Sequence, residues 1–357
     1  MSKEENRKNF SKYVSQNILG MIGFSCYVLA DSYFISIAKG ADGLTALNLV
    51  MPLYSIIFSI GEMIGVGSAI RYAISKIKKD ADADDYFWNA LIWCILSSML
   101  FVFAGIFFSA DIMRVLGADE HIVAVGNNYT KIFMCFAPMF MCNYVTNAFV
   151  RNDGAPGIAM SATLFSSLFN IVFDYILMFP MNLGMEGAAL ATALSPIIGM
   201  GICSIHFFSK KSSVRLVVCK PSVRKLVAGC QLGISAFVGE MSSAVITLVF
   251  NFVILKLAGN VGVAAYGVVA NIAIVTTAVF NGVAQGSQPL ISSCFGRGDK
   301  DGCTQLKRMG YTTAFVLAAV MYSILFIFAG QFVAVFNSEG SEMLRLYATE
   351  GVKLYFI

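Results

Sequence analysis

Four polar side chains in otherwise apolar stretches of this sequence could together hold a small cation. Asn170 and Asp174 are the two strongly polar residues within 157–179, and Asp31 lies in an equally apolar stretch near the N-terminus. Asn170 and Asp174 are four residues apart, so their side chains share one helix face. Thr192 adds a hydroxyl from a further apolar stretch. Such oxygen ligands suit Na⁺, and paired acids in an apolar environment suit a shared proton.

The cost of burying acids favours a functional interpretation of this set. An ionised carboxylate at the centre of a membrane helix costs roughly 2.5–3.5 kcal/mol on insertion scales. Two ionised carboxylates cannot lie close together without a counter-charge, so we expect Asp31 or Asp174 to hold a proton. The alternative is that these side chains only form hydrogen bonds between helices, worth less than about 2 kcal/mol each. For Asn170 taken alone that alternative is favoured, whereas for the two acids a cation site is favoured.

Composition places these residues in a membrane protein. Hydrophobic residues make up 57% of the chain and charged residues 13%, whereas a soluble domain carries about 25% charged residues. Apolar stretches of about 20 residues recur along the sequence, as in an all-α polytopic protein of the lipid bilayer. The nine cysteines show no CxxC or metal-ligand spacing. We therefore expect reduced, space-filling cysteines, no cofactor, and no metal beyond Na⁺ at the cation site.

Hydropathy predicts nine complete membrane spans and the start of a tenth near Met343. The spans run approximately over 13–38, 43–72, 86–108, 126–149, 157–180, 186–208, 227–257, 262–294 and 309–336. Spans one and five both start on the side of the membrane that carries the N-terminus. Asp31 lies about 27 Å from the start of span one. Asp174 and Asn170 lie about 26 and 20 Å from the start of span five. Thr192 lies about 9 Å from the opposite end of span six. In a hydrocarbon core about 30 Å thick, all four fall in the same half.

Basic residues predict the orientation. The N-terminal segment and the loops after spans two, four, six and eight hold nineteen of the 25 Lys and Arg residues, with Arg151 counted in the loop after span four. The positive-inside rule then predicts a cytoplasmic N-terminus in a multi-pass protein of the cell membrane.

The most basic loop divides the sequence into two related halves. A shift of 217 residues aligns Gly65-Val66 with Gly282-Val283, and Asp82 and Asp84 with Asp299 and Asp301. This predicts an N-lobe of spans one to six at 1–209, a cytoplasmic linker at 210–225, and a C-lobe at 226–357. An even number of spans per repeat gives parallel repeats. Six spans per repeat imply a twelve-span parent, so we expect this chain to be truncated after about nine spans.

Other polar residues within the spans are weaker candidates. Glu240 in span seven is a candidate coupling or substrate-binding acid, although it could instead pair with a neighbouring polar group. Glu62 lies among glycines in span two and could serve in a gate or in packing. Asn143 and Asn147 share one face of span four, and Gln288 lies in span eight. These residues are candidates for lining a cavity, with ordinary helix contacts as the alternative.

Five segments of the sequence carry a family resemblance that covers nearly the whole chain. They are ADSYFISIAKGADGLTALNLVMP at 30–52, NIVFDYILMF with GMEGAALATALSP within 170–196, KPSVRKLVAGCQLGISAFVGE at 220–240, NFVILKLAGNVGVAAYGVVANI at 251–272 and GVAQGSQPLISSCFGRGD at 282–299. The sequence resembles the multidrug and toxic compound extrusion (MATE) family. Within that family it looks most like the MepA group of bacterial multidrug export proteins, with acids in the N-lobe like those of DinF-type members.

The resemblance implies two six-helix lobes around a cleft and exchange of H⁺ or Na⁺ for organic cations. It implies that Asp31, Asn170, Asp174 and Thr192 bind the coupling cation. Glu240 resembles the seventh-helix acid of NorM-type members. Those members also use an acid in a later helix, and spans eight and nine contain none.

From sequence we therefore expect a secondary active multidrug transporter that carries amphipathic organic cations. The 18 Met and 30 Phe residues permit a pocket for flat apolar cations, although most of them can equally face lipid. We expect a monomer with no nucleic-acid partner. A lipid-linked oligosaccharide flippase of the same superfamily is the alternative, but it would need buried Arg or Lys to hold pyrophosphate, and the spans carry almost none. An enzyme is disfavoured because HExxH, GxSxG and metal-ligand motifs are missing from the sequence.

Overall fold

The computed structural model describes residues 3–336 and 342–356, which are all-helical and contain no strand. Within these described ranges, eight single helices are long and apolar enough to cross a membrane, and a bent pair of helices makes a ninth span. Spans one to six cover Lys3–Gly40, Asp42–Lys78, Asp85–Val115, Glu120–Cys135 with Ala137–Asn152, Pro156–Met178 and Met185–Phe207. Spans seven to nine cover Val223–Phe250, Ala265–Gly296 and Lys300–Ile327, followed by helices Ala329–Phe336 and Glu342–Tyr355.

Both halves of the chain begin with a pair of spans that are joined without a loop. Spans one and two form one helical segment, Lys3–Lys78, that breaks at Gly40, where φ is 59°. Spans seven and eight belong to Val223–Gly296, which breaks at Gly259 with φ 62°. Positive φ values favour glycine because it lacks a Cβ atom. The repeated break agrees with the repeat predicted from sequence.

Several spans differ in extent from the hydropathy prediction. Span one begins at Lys3 instead of near residue 13, and span nine begins at Lys300 instead of near residue 309. Hydropathy detects the stretch that crosses the hydrocarbon, whereas the polar turns beyond it remain helical. In span nine the Asp299 side chain caps the first turn by accepting from the Gly302 backbone N–H at 2.8 Å.

Span four is bent, whereas the sequence predicted a single uninterrupted span at 126–149. Its two helices meet between Cys135 and Ala137 at an angle of 46°. Pro138 lies in the first turn of the second helix. Because proline has no backbone N–H, it cannot donate the hydrogen bond that would continue the preceding helix.

The N-lobe holds the main core, while spans seven and nine expose much of their apolar surface. Tyr129, Phe133 and Phe149 are fully buried in the N-lobe. In the most apolar 18-residue stretch of span six, half of the residues are buried, compared with 6% in the corresponding stretches of spans seven and nine. Exposed apolar helix surfaces of this kind suit contact with lipid hydrocarbon.

The lobes meet through close backbone contacts in the half of the molecule that carries the N-terminus and the loops after spans two, four, six and eight. We call this side the basic end. A Cβ atom on Gly67 of span two would lie 2.1 Å from the carbonyl oxygen of Gly229 in span seven. One on Gly282 of span eight would lie 2.5 Å from Cα of Ile18 in span one. Glycines at these positions therefore allow the two lobes to pack helix against helix.

The linker is fastened to the N-lobe by a buried carboxylate at the basic end. Asp153 Oδ2 lies 2.8 Å from His206 Nε2 and accepts hydrogen bonds from the Ser213 backbone N–H at 2.9 Å and the Ser212 hydroxyl at 3.1 Å. Asp153 Oδ1 accepts from the Tyr72 hydroxyl at 3.2 Å. The side chains of Asp153 and His206 are both almost fully buried. This group therefore ties the start of the linker to spans two, four and six.

Candidate functional site

The structure places Asp31, Asn170, Asp174 and Thr192 together inside the N-lobe, and we call them the buried acid cluster. Asp174 and Asn170 are fully buried, while Asp31 and Thr192 are 6% and 2% exposed. In the amide orientation that satisfies its neighbours, the Asn170 nitrogen donates to Asp174 Oδ2 at 3.0 Å. The Asn170 oxygen then accepts from the Thr192 hydroxyl and backbone N–H, each at 3.2 Å. Asn170 thus connects the carboxylate of span five to span six.

Close packing of spans five and six sets this geometry. The two spans form a hairpin whose turn contains Gly184 with φ 51°. A Cβ atom on Gly187 would lie 2.8 Å from the carbonyl carbon of Leu177. Because glycine occupies this position, span six approaches the backbone of span five closely. Thr192, five residues further along span six, then reaches Asn170.

The carboxylates of the cluster are left partly unsatisfied. Asp31 Oδ1 and Asp174 Oδ1 are buried and have no hydrogen-bond partner among the described residues. The two carboxyl groups are close enough to interact electrostatically. Neither forms an ion pair with a basic side chain in the described part of the chain. Buried carboxylates without a counter-charge require a proton or a bound cation, and the free oxygens offer a place for either.

Three tyrosines surround the cluster, and the sequence analysis did not single them out. Tyr27, Tyr54 and Tyr129 lie within electrostatic range of both Asp31 and Asp174. The hydroxyls of Tyr54 and Tyr129 hydrogen-bond to each other. Tyr27 precedes Asp31 by four residues and so shares its helix face, which was a usable sequence signal. For Tyr54 and Tyr129 no sequence spacing indicates the contact, because it depends on how spans two and four pack.

A second group of polar residues, buried or half-buried, joins the two lobes, and we call it the interlobe cluster. It consists of Asn17, Glu62 and Arg151 from the N-lobe and Gln285 from span eight. Gln285 Oε1 accepts from Arg151 Nη1 at 2.5 Å, and its Nε2 donates to Glu62 Oε1 at 3.3 Å. Arg151 also donates to Asn17 Oδ1 at 3.4 Å. One amide of the C-lobe thus bridges a cation and a carboxylate of the N-lobe.

The burial of Arg151 corrects the sequence analysis. Arg151 was assigned to the basic loop after span four, and the spans were taken to lack almost any buried basic residue. The residue lies in the last turn of span four and is only 5% exposed. Hydropathy shows only that a charged residue lies at the end of a span. The residues that bury Arg151 come from spans one and eight, which are distant from it in sequence. The N-lobe therefore presents one buried cation to the C-lobe.

Gln288 and Asn147 lie beside the interlobe cluster. Gln288 and Asn152 exchange two amide hydrogen bonds across the lobe boundary, at 2.9 and 3.1 Å. Asn147 lines a small cavity of about 20 Å³ together with Arg151 and Gln285, and it donates to the Ala159 carbonyl at 3.2 Å. Gln288 therefore joins the lobes, while Asn147 borders the same region from within the N-lobe.

Glu240 and Asn143 lie elsewhere. Glu240 is half-buried on span seven, has no hydrogen-bond or ion-pair partner among the described residues, and interacts electrostatically with Glu62. Asn143 lies against Gly199 of span six within the N-lobe, with its Oδ1 buried and unpartnered in the described structure. The small cavity that Asn147 lines does not include Asn143 among its lining residues.

Comparison with known proteins adds a family and a fold. A family model described as MatE matches residues 17–176 and 236–349. Multidrug export protein MepA of Staphylococcus aureus (strain MRSA252) is 28% identical over 336 residues, which cover 93% of this chain and 72% of MepA. MepA of Staphylococcus saprophyticus is 25% identical over 331 residues, covering 91% of this chain and 72% of that protein.

Solved structures share the architecture. One is an outward-facing conformation of a multidrug resistance MATE family transporter of the MOP superfamily, with a TM-score of 0.89 and 22% identity. Another is a MOP superfamily transporter from Pyrococcus furiosus, with the same TM-score and identity. Each alignment covers 98% of this chain and 78% of the other. These matches show that the fold is common to the three chains.

Proposed function

Because the chain belongs to the MatE family, we propose that it exports small organic cations across the cell membrane in exchange for H⁺ or Na⁺. The observation that carries this proposal is the buried acid cluster, where two carboxylates have no counter-charge among the described residues and each leaves one oxygen unpartnered there. A site of this kind is unfavourable unless it is occupied, and it can exchange its occupant with solvent when the lobes move. Multidrug export by the related MepA proteins supports the same function.

The proposed cycle uses the acid cluster to couple two movements. A proton or Na⁺ enters at Asp31 and Asp174 and neutralises their charge. Asn170 and Thr192 then adjust their hydrogen bonds, because an amide that donates to an ionised carboxylate binds less strongly once that carboxylate is neutral. Spans one, five and six repack, and the affinity for the exported cation falls. Differential affinity between two conformations is the requirement for such coupling.

The interlobe cluster has a complementary role in this proposal. We assign the basic end to the cytoplasm, on the basis of its Lys and Arg content. The bridge through Gln285 and the amide pair of Asn152 and Gln288 would then keep the cytoplasmic side closed. For the chain to take up its substrate from the cytoplasm, these contacts must separate.

The substrate class follows from the acids and from the family. An organic cation is attracted by carboxylates, and the half-buried Glu240, which has no hydrogen-bond or ion-pair partner among the described residues, would add to this attraction. We expect the chain to act as a monomer without a cofactor. Its range of substrates is expected to include amphipathic cations such as ethidium.

A lipid-linked oligosaccharide flippase is the weaker candidate. Arg151 is a buried cation that could favour it, but its guanidinium already donates a hydrogen bond to Gln285 and its charge is compensated by the nearby Glu62. Holding a pyrophosphate would need further basic groups directed at the same cavity. The proposed exporter needs no such addition.

The test is transport by the chain in proteoliposomes under separately imposed proton and Na⁺ gradients. We expect one gradient to drive ethidium export, and we expect Asp31→Asn and Asp174→Asn each to reduce it to background while the protein remains folded. Asp80→Asn is the matched control, because Asp80 is an exposed acid at the basic end. Full export by either cluster variant would contradict the proposal.

A further inference from the structure

A groove at the basic end, between spans one and nine, is separate from both polar clusters. Its volume is about 510 Å³, and its two guanidinium groups come from Arg7 and Arg308. Both arginines are exposed, and neither forms an ion pair among the described residues. The described residues that line the groove include no acidic side chain. The groove therefore combines unpaired positive charge with open access.

The lining changes in the same order along both helices. In span one the lining residues are, in order, Arg7, Phe10, Ser11, Val14, Ser15 and Ile18. These positions follow the helical repeat, so they form one stripe that extends about 16 Å from Arg7 to Ile18. The stripe begins with the charge of Arg7 beside the ring of Phe10, carries hydroxyls at Ser11 and Ser15 on either side of Val14, and ends at the apolar Ile18.

Span nine presents the same sequence of chemistry. Arg308 lies beside Met309, and the two are followed by Thr312 and Thr313 one turn later and by Leu317 after a further turn. Both spans begin at the basic end, so the two stripes run in the same direction. The two arginines thus lie near the membrane surface, while the aliphatic side chains lie deeper.

This gradient matches a phospholipid in the membrane. An anionic headgroup would lie between the guanidinium groups, which bind phosphate well. The hydroxyls would face the glycerol and ester region, and the aliphatic floor would contact the upper acyl chains. Basic grooves between helices on the cytoplasmic side commonly hold anionic headgroups.

The equivalent junction on the other side of the repeat is arranged differently. There, span seven approaches span three, and Lys225 forms ion pairs with Asp82 and Asp85. The backbone N–H of Ser222 donates to Asn89 Oδ1 at 2.6 Å. The linker thus fills this junction and neutralises its charge, whereas the groove of spans one and nine keeps its charge free.

We propose that the groove lined by Arg7 and Arg308 is a binding site for an anionic phospholipid of the leaflet at the basic end. Its occupant would bridge the N-lobe at span one and the C-lobe at span nine. The bound lipid would therefore stabilise the arrangement in which the lobes touch at the basic end.

Native mass spectrometry of the detergent-solubilised chain can measure the binding. Phosphatidylglycerol, phosphatidylcholine and inorganic phosphate are titrated separately. We expect specific adducts of phosphatidylglycerol, weaker adducts of phosphatidylcholine, and no displacement of the lipid by phosphate. Arg7→Gln with Arg308→Gln should weaken phosphatidylglycerol binding about twenty-five-fold, a factor of about five for each basic residue. The matched control combines Arg215→Gln with Arg224→Gln, which removes two exposed arginines at the same end outside the groove.

Several outcomes would overturn the proposal. Equal binding of the two lipids, equal losses in the double variant and the control, or displacement by phosphate would each show that no specific lipid site exists in this groove. If the double variant does not fold, Ile18→Trp and Leu317→Trp test the acyl-chain region with both arginines retained. These variants should weaken phosphatidylglycerol binding, and unchanged binding in them would contradict the proposal.

Discussion

The buried acid cluster and the interlobe cluster contain the same kind of side chain in different electrostatic surroundings. Asp31 and Asp174 are buried without a basic partner among the described residues, and each leaves one oxygen free. Glu62 is linked through Gln285 to the buried guanidinium of Arg151. A buried acid with a counter-charge holds structure together, whereas a buried pair without one needs a mobile cation or proton. Asp31 and Asp174 are also more deeply buried than Glu62, so the comparison indicates that neighbours together with burial determine what an intramembrane acid can do.

The largest expected change in the free energy of unfolding comes from a substitution in the interlobe cluster. Arg151→Met should lower the free energy of unfolding by about 3 kcal/mol, because it leaves the half-buried Glu62 near Glu240 without its counter-charge. Chemical denaturation of the purified protein in detergent measures this change.

Adding Glu62→Gln to Arg151→Met tests whether the loss is electrostatic. The second substitution removes the uncompensated charge, so it should restore at least about 1 kcal/mol of the lost stability, as expected for coupled residues. If the double variant is as unstable as Arg151→Met alone, the two side chains do not act as a pair.

A substitution in the buried acid cluster should change the free energy of unfolding in the opposite direction. Asp174→Asn should leave the free energy of unfolding unchanged or raise it by about 1 kcal/mol, since it removes a buried acid that lacks a counter-charge. The control is Asp153→Asn, which replaces a buried acid bonded to His206 and the linker. This control should lower stability by about 2 kcal/mol. A comparable loss of stability in Asp174→Asn would mean that Asp174 is chiefly a structural residue.

A smaller effect is expected from the hydroxyl of the cluster. Thr192→Val keeps the shape of the side chain but removes the hydrogen bond to Asn170, a contact worth about 1 kcal/mol. We expect a change of about fivefold in the concentration of coupling ion that half-saturates ethidium export. Ser195→Ala is a suitable control, because Ser195 donates only to the Thr192 carbonyl of its own helix. If Thr192→Val transports with the same ion dependence as the unaltered chain, Thr192 does not belong to the site.

Hydropathy and residue spacing within single helices were enough to predict the membrane spans and the buried acid cluster. Hydropathy located every span because each crosses the hydrocarbon with a long apolar stretch. The four-residue spacing of Asn170 and Asp174 and the matching depth of Asp31 and Thr192 were enough to indicate a cluster. These features depend on one helix at a time and on distance along it.

Features created by packing between distant segments were not predictable in the same way. Arg151 appears in the sequence as a loop cation, and its burial depends on Asn17 and Gln285, which lie more than a hundred residues away in each direction. The bend in span four and the contact between Tyr54 and Tyr129 likewise depend on neighbouring helices. Sequence patterns report the faces of individual helices, whereas these features need the arrangement of several.

Ion release on substrate binding tests the central claim most directly. Ethidium is added to the purified chain in weakly buffered solution, and released H⁺ and Na⁺ are recorded with electrodes. We predict that ethidium displaces one of these ions from the unaltered chain and from Asp80→Asn, and that Asp31→Asn and Asp174→Asn release none. Undiminished ion release from the two cluster variants would contradict the assignment of the coupling site to Asp31 and Asp174.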